Sequence, residues 1–326
     1  MSEDQKPYLP LGVGIHADVN EKRYHEDPCA VPSLSASIAK LLIGQSAFHG
    51  WAAHPRLGGM VLEEEDEKEA AHLTQGTLMH KLLLGKGAEI DICEEDSWRK
   101  NTAKELREKA QAEGRIPCLR AQFDRAEKLR DAVTGQLADL GLDRVFRTGL
   151  REVVVVWEDE GVLCRAMIDN LIIDETAGRA EIWDCKTTGK SAHPTACAKY
   201  ISGMGYDIQR AFYRRAVEVS RPDLAGRIDF RFVFVEMGKP HAITPIDQDG
   251  TGAHIGVSKM GRALAMWRNC LAAGKWPGYT SQAVPVTRSI TPNWAMTEEM
   301  ETPEPSRVPS KQEQENYFAE LAQKTK

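Results

Sequence analysis

An α/β fold with a central mixed β-sheet flanked by helices is what the sequence predicts, on three observations. Apolar, β-branched runs at 151–157, 162–173 and 180–184 follow one another through short polar breaks. That is the pattern of antiparallel strands joined by hairpins. Two further runs, 228–236 and 242–246, widen the sheet. Segments with apolar residues at helical spacing precede the strands, fall between them and follow them, which supplies the flanking helices.

The 326 residues, 42% of them hydrophobic, suffice for a proper core in one large domain or two small ones. The expected division is an arm over 1–31, a catalytic domain over 32–295 and a polar, flexible tail over 296–326, with a short helix near 311–323. Nothing in the chain approaches the ~20 apolar residues of a membrane span, and the start, MSEDQKPYLP, lacks a basic-then-apolar signal. Seven scattered cysteines without a C-x-x-C pair imply reduced thiols in a cytoplasm. A net charge of −6 is not the footprint of a protein that coats DNA indiscriminately. It does not decide against nucleic acid, because phosphate contacts can be local on a chain that is acidic overall.

Taken in order, Ser33-Leu-Ser-Ala-Ser caps a helix that begins near Ile38, and the aromatic segment Phe48–Trp51 follows. The charge run Glu63–Glu69 opens a long helix that reaches Gly76-Thr77-Leu78-Met79-His80 and Leu84. Small residues one turn before His80 permit close packing. Residues 99–140 read as two amphipathic helices parted near Gly114–Pro117, with Lys100, Lys104, Arg107, Arg115 and Arg120 either contacting backbone phosphates or, with acids interleaved among them, on ordinary solvated faces. After the sheet's hairpins, Tyr206–Val217 and Ile255–Ala273 have helical spacing.

The chemistry concentrates in the hairpin. A turn centred between Thr176 and Ala177 sets Asp169 opposite Asp184. Facing side chains of paired strands lie about 4.5–5.5 Å apart, and like charges there are destabilising. A shared divalent cation is the simplest reason for two such acids, and hard oxygen ligands suit Mg²⁺ or Mn²⁺. The period of two turns Lys186 to the face of Asp184 and Cys185 away from it. An ammonium there can position a metal-bound water, lower its pKa or offset charge on a phosphate. The alternative is a surface hairpin whose polar residues face water.

A turn at Glu158–Gly161 sets Glu152 opposite Met167 and diagonal to Asp169, either as a further acid near a metal or as a partner for Arg165. His80 is either a core histidine or, as neutral imidazole beside two carboxylates, a third ligand. His72 lacks the spacing of an H-E-x-x-H zinc site. Gln209 and Tyr213, four apart, share a helix face, and Arg210, Arg214 and Arg215 beside them could hold phosphates. Gly44-Gln-Ser-Ala-Phe is no nucleophile elbow, Gly85-Lys-Gly no Walker loop and Gly12-Val-Gly no Rossmann turn.

Ile168-Asp169-Asn170 together with Trp183-Asp184-Cys185-Lys186-Thr187-Thr188 resembles the core of the PD-(D/E)XK nucleases. More narrowly, it resembles the exodeoxyribonuclease VIII (RecE-like) and RecB-type branch. Gly76-Thr77-x-x-His80-x-x-Leu83 and Gln209-x-x-x-Tyr213 are similar to that branch's flanking motifs, and the likeness runs from about 33 to 294. It implies a restriction-endonuclease-like core. It also implies one or two Mg²⁺, with Mn²⁺ as substitute, held by His80, Asp169, Asp184 and the backbone carbonyl of Cys185. Lys186 would position or deprotonate water, and Gln209 and Tyr213 would contact the cut strand or orient the lysine. The implied activity is 5′→3′ exonuclease action on double-stranded DNA ends by a ring-shaped homo-oligomer. Its partner would be a single-strand annealing protein of phage or prophage recombination. A RecB-like single-strand exonuclease, an endonuclease and a non-catalytic DNA-binding module with the same fold are the alternatives. The cysteine cluster of iron–sulfur RecB-type nucleases is absent.

Overall fold

The computed structural model describes residues 9–60, 67–280, 285–291 and the pairs 311–312 and 315–316, with the backbone alone for 67–74. In chain order it contains β1 (Gly14–His16), α1 (Glu21–His25), β2 (Leu34–Ser35), α2 (Ala36–Gly44), α3 (Ala47–Ala53) and α4 (Glu67–Leu84). Then come β3 (Ile90–Cys93), α5 (Asn101–Ala112), β4 (Ile116–Leu119) and α6 (Arg120–Asp139). The strands β5 (Leu150–Asp159), β6 (Val162–Asp174) and β7 (Arg179–Thr188) lead to α7 (Pro194–Gly203) and α8 (Tyr206–Ser220), and the fold closes with β8 (Ile228–Glu236), β9 (Ile243–Ile246) and α9 (Gly250–Ala273).

The main sheet runs β1-β5-β6-β7-β8-β9, with β2 added to β6. It is mixed: β5, β6 and β7 are successive antiparallel neighbours, whereas β7 and β8 are parallel. Parallel neighbours need a long crossover, and α7 with α8 supplies it. One face packs on α2, α7, α8 and α9 around Trp157, Phe212, Phe230, Phe232 and Trp267. The other carries α4 and α6 through Met79, Leu129, Val133, Trp183 and Val233. Both faces are covered, so β7 reads as a nearly continuous buried run rather than as a clean alternation.

The β6–β7 register is the expected one. The loop 175–178 joins Asp174 to Arg179, and Asn170 lies opposite Trp183. The β5–β6 register is not. Glu160 and Gly161 both adopt left-handed backbone (φ 49° and 78°) and form a tight two-residue turn between Asp159 and Val162. Val154, not Glu152, therefore faces Met167.

Between Arg151↔Asn170 and Val153↔Ile168 the regular ladder skips the position shared by Glu152 and Asp169. On either side of the skip the same core takes Val153 with Ile168 and then Leu150 with Leu171, so the inward face of both strands shifts by one residue. Glu152 absorbs the shift with a left-handed φ of 48°. Paired irregularities of this kind bend strands and re-aim side chains.

Three boundaries differ from expectation. Residues 9–31 are no arm: β1 pairs with β5, and Leu11 bridges Cys29. A buried ion cluster further ties the segment to β6, with Asp27 accepting from Ser33 N and Oγ at 3.0 and 2.6 Å and standing 3.1 Å from Arg165. The helices α5 and α6 are parted by a strand, because β4 pairs with β3 in a two-stranded sheet. The compact unit ends at Tyr279, ahead of 295, and Thr280–Lys326 forms a second unit. Of the expected tail helix, 311–312 and 315–316 are helical and the rest lies outside the described residues.

Candidate active site

Asp184 lies on β7 with no exposed surface, one residue past the last regular β6–β7 pair. The next amide, Cys185 N–H, does not continue that ladder; it donates to the Asp169 side chain, with Oδ2 at 2.9 Å. β6 thus leaves β7 here, and a carboxylate takes the place of a backbone acceptor. The expected proximity of the two acids holds, but Asp169 sits at the splay of two strands rather than in a flat pair.

Each acid has a cation beside it. Lys186 Nζ stands 2.5 Å from Asp184 Oδ2, and His80 Nε2 stands 3.1 Å from Asp169 Oδ2. His80 Nδ1 also lies 3.5 Å from Glu152. The histidine is brought in by α4, which comes close to β7 at Gly76. A Cβ there would sit 2.9 Å from Thr187 Oγ1. Glu152 partners His80, whereas Arg165 is taken by Asp27, Ser33 and the Tyr24 carbonyl, so the expected alternative of a Glu152–Arg165 pair does not form.

His80, Glu152, Asp169, Cys185, Lys186 and Tyr206 line one cleft of about 530 Å³. Methionines 167, 204 and 237 form part of its wall.

The electrostatics follow from burial opposed by pairing. Burial works against a charged His80, but Asp169 and Glu152 overcome it and push its pKa up to about 10. Burial also raises Asp184, to about 6, because Asp169 adds to the effect and Lys186 only moderates it. Asp169 moves the other way: burial opposes its charge, yet His80, Lys186 and the Cys185 amide hold its carboxyl below the usual range. Lys186 is desolvated too, and the two aspartates still raise its pKa above the ordinary lysine value.

Gln209 and Tyr213 do not reach the cleft. Gln209 is buried behind Asp184, and its Nε2 donates to Asp184 Oδ1 at 2.7 Å. Tyr213 is buried against Phe230. Nor do the arginines beside them stand open for phosphate. Arg215 holds Asp159 through two bonds at 2.8 and 2.9 Å, Arg214 pairs with Glu218 at 3.3 Å, and buried Arg210 faces Asp247 at 3.8 Å. Lys100, Arg115 and Arg120 likewise pair with neighbouring acids. His72 lies among residues whose side chains are outside the description.

Two participants were missed. Lys40 of α2 donates to Gln209 Oε1 at 3.1 Å, and burial together with Lys186 lowers its pKa to about 8. The Tyr206 ring lies 4.7 Å from the Lys40 ammonium and 5.0 Å from that of Lys186. The available signal was Lys40 itself, the one charge in an otherwise uncharged helix.

Among the described residues, no three His, Cys, Asp or Glu side chains form a ready metal centre. The donor set nevertheless fits a hard divalent cation. Carboxylate oxygens are the right ligand type, and so is the His80 imidazole once a bound cation takes the place of the proton it carries between the two acids. Asp184 Oδ2 is fully buried without a well-formed hydrogen bond, its charge met by the Lys186 ammonium. The Cys185 thiol is buried among apolar residues on the α4 side, and burial raises its pKa.

A mixed sheet whose diverging strands bring two acids and a lysine together beside one cleft defines a recognisable class. The chain belongs to the family described as a PDDEXK-like domain of unknown function, whose pattern matches residues 54–287. No curated protein matches the chain. Its fold is also similar to the crystal structure of a protein from Eubacterium rectale provisionally called an exonuclease, with a TM-score of 0.48 and 15% identity over 87% of this chain and 96% of that one. A second structure, of SSO0001, has a TM-score of 0.25 and 13% identity over 65% of this chain and 98% of that one.

Proposed function

We propose that the chain is a divalent-metal-dependent nuclease that hydrolyses DNA phosphodiesters. One observation carries the reading: Asp169, Asp184, Lys186 and His80 meet where β6 leaves β7, and all but the buried Asp184 line a single cleft. His80, Asp169, Asp184 and the Cys185 carbonyl are the groups that would hold Mg²⁺, with Mn²⁺ as substitute. Bound there, the cation supplies an activated water and offsets charge that builds at phosphorus.

The protein's own groups do the rest. The Lys186 ammonium has three protons and no lone pair, so it can face Asp184 with one and a water or phosphate oxygen with another. His80 faces the Asp169 carboxylate through Nε2, and Glu152 holds the other ring nitrogen and so the orientation of the imidazole. Gln209 holds Asp184 from behind. Tyr206 and the three methionines give the cleft an apolar side suited to a sugar or base.

In finer detail, we infer a 5′→3′ exonuclease on double-stranded DNA ends. It would act in the cytoplasm of a bacterial or phage-infected cell, as a homo-oligomer with a single-strand annealing partner. The RecE-like spacing of His80, Asp169, Asp184, Lys186, Gln209 and Tyr213 supports this version. Among the described residues, no helix is long and apolar enough to cross a membrane.

The test is release of nucleotides from linear duplex labelled at the 5′ or the 3′ end, with Mg²⁺ or with EDTA. Chelation is expected to stop release, and Asp184→Ala and Lys186→Ala each to slow it by at least about 10²–10³-fold with unchanged circular dichroism. Wild-type rates in either variant would remove the mechanism. Early release of the 3′ label would remove the polarity, and cutting of closed circles would make the enzyme an endonuclease.

A further inference from the structure

Lys40 does not line the cleft, yet it touches the machinery through one residue. Its ammonium lies 3.1 Å from Gln209 Oε1, and the other end of the same amide donates to Asp184 Oδ1 at 2.7 Å. Its stem runs beside Gly205, where a Cβ would come within 3.1 Å of Lys40 Cγ, and its ammonium, like that of Lys186, lies against the Tyr206 ring.

We propose that Lys40 is a positioning residue of the hydrolytic site, acting through the side-chain amide of Gln209; this rests on the nuclease reading above. An ammonium can only donate, and a carboxylate can only accept. Between the two, a glutamine amide has one favourable orientation, with oxygen to Lys40 and nitrogen to Asp184. The flipped amide would set NH₂ against NH₃⁺ and C=O against carboxylate, so both contacts would be repulsive. Lys40 thereby reinforces the orientation in which Gln209 donates to Asp184. Oδ1 of Asp184 is held by that bond, and Oδ2 is left on the side of Lys186. Without Lys40 the oxygen end of the amide is unheld, only the bond to Asp184 still orients it, and the Asp184 carboxylate is fixed less tightly while keeping its place in β7.

The experiment uses the full chain and four variants: Lys40→Met, Lys40→Arg, Gln209→Leu and the Lys40→Met/Gln209→Leu double. Thermal melts establish that each is folded. Lys40→Met is expected to lower kcat about 10- to 100-fold, the usual cost of removing a group that orients a metal-site ligand, with KM little changed. Lys40→Arg, which still donates, restores most of the loss. The double variant is no slower than Gln209→Leu, because both changes break one relay.

A second readout needs no turnover. The Gln209 side-chain amide, observed by ¹⁵N NMR, shows a slowly exchanging proton in the wild type and in Lys40→Arg, and loses it in Lys40→Met. A raised KM with unchanged kcat, multiplying effects in the double variant, or an unchanged amide signal would each overturn the proposal. If the wild type hydrolyses no DNA, the nuclease reading falls, and the amide signal alone decides the role of Lys40.

Discussion

Asp27 and Asp184 are both buried acids, and their neighbours drive them in opposite directions. Burial is the largest influence on each and raises the pKa. Around Asp27 it is outweighed by His54, Arg165 and Ser33, which hold the carboxyl below its ordinary value of 3.8. Asp184 lacks that surplus, and Asp169 pushes it further up. The first acid is a structural tie; the second is kept ready for another charge.

Asp27→Asn leaves Arg165 buried without its partner and should cost roughly 3–5 kcal/mol in urea melts at pH 7. The sign of the pH effect follows from the lowered pKa. The contribution of Asp27 is fully present above about pH 4 and is lost as pH falls through its folded value. The gap between wild type and variant should therefore narrow in acid and stay constant above about pH 5; a gap that widened in acid would contradict the assignment.

At this scale the two aspartates and Lys186 were legible because a period of two fixes which β7 residues share a face. Lys40 and Tyr206 were not, since their place depends on how α2 meets α8. Glu152 was misplaced for a smaller reason: the turn holds Glu160 and Gly161 alone, and a shift in the turn's centre moves every pair in the ladder.

Close approaches between elements decide whether the site forms. Alanine at Gly76 would gain about 1 kcal/mol of helix propensity but would press on Thr187, and overpacking costs about 1–3 kcal/mol. The second effect should win, and because His80 sits one turn further along α4, hydrolysis should fall along with the melting temperature. Thr187→Ala in the same chain removes the contacted hydroxyl and should restore both. Failure of that rescue would mean that Gly76 matters for another reason.

Helix caps give a graded comparison. Asp249 accepts from Gly252 N at 2.7 Å at the start of α9, while Ser35 accepts from Ile38 N at 3.4 Å at the start of α2. Asp249→Ala should cost about 1 kcal/mol and Ser35→Ala distinctly less, as measured by chemical denaturation. The serines before α2 were readable as a start signal; which one caps, and how well, was not.

For the whole molecule, the strands from β5 to β9 were legible because long apolar runs between turn residues leave few alternatives. The edges were not. Residues 9–31 are polar and proline-punctuated, yet a three-residue strand and one buried aspartate bind them to the sheet, through long-range pairing that local pattern does not record. Two truncations should therefore behave oppositely. A chain ended after Thr287, beyond the compact unit that closes at Tyr279, should keep its melting transition. A chain begun at Pro32 loses β1 and Asp27 and should melt much earlier or fail to fold. Equal stability in the two would refute the description of the N-terminal segment.

The left-handed backbone at Glu152 has a consequence for how sturdy this fold can be. A side chain held at positive φ costs about 1–3 kcal/mol, and asparagine tolerates that conformation far better than glutamate. Glu152→Asn would ease the kink and remove one of two crowded negative charges. The variant should be the hardier protein and the poorer catalyst, with heat tolerance and turnover moving apart after a single substitution.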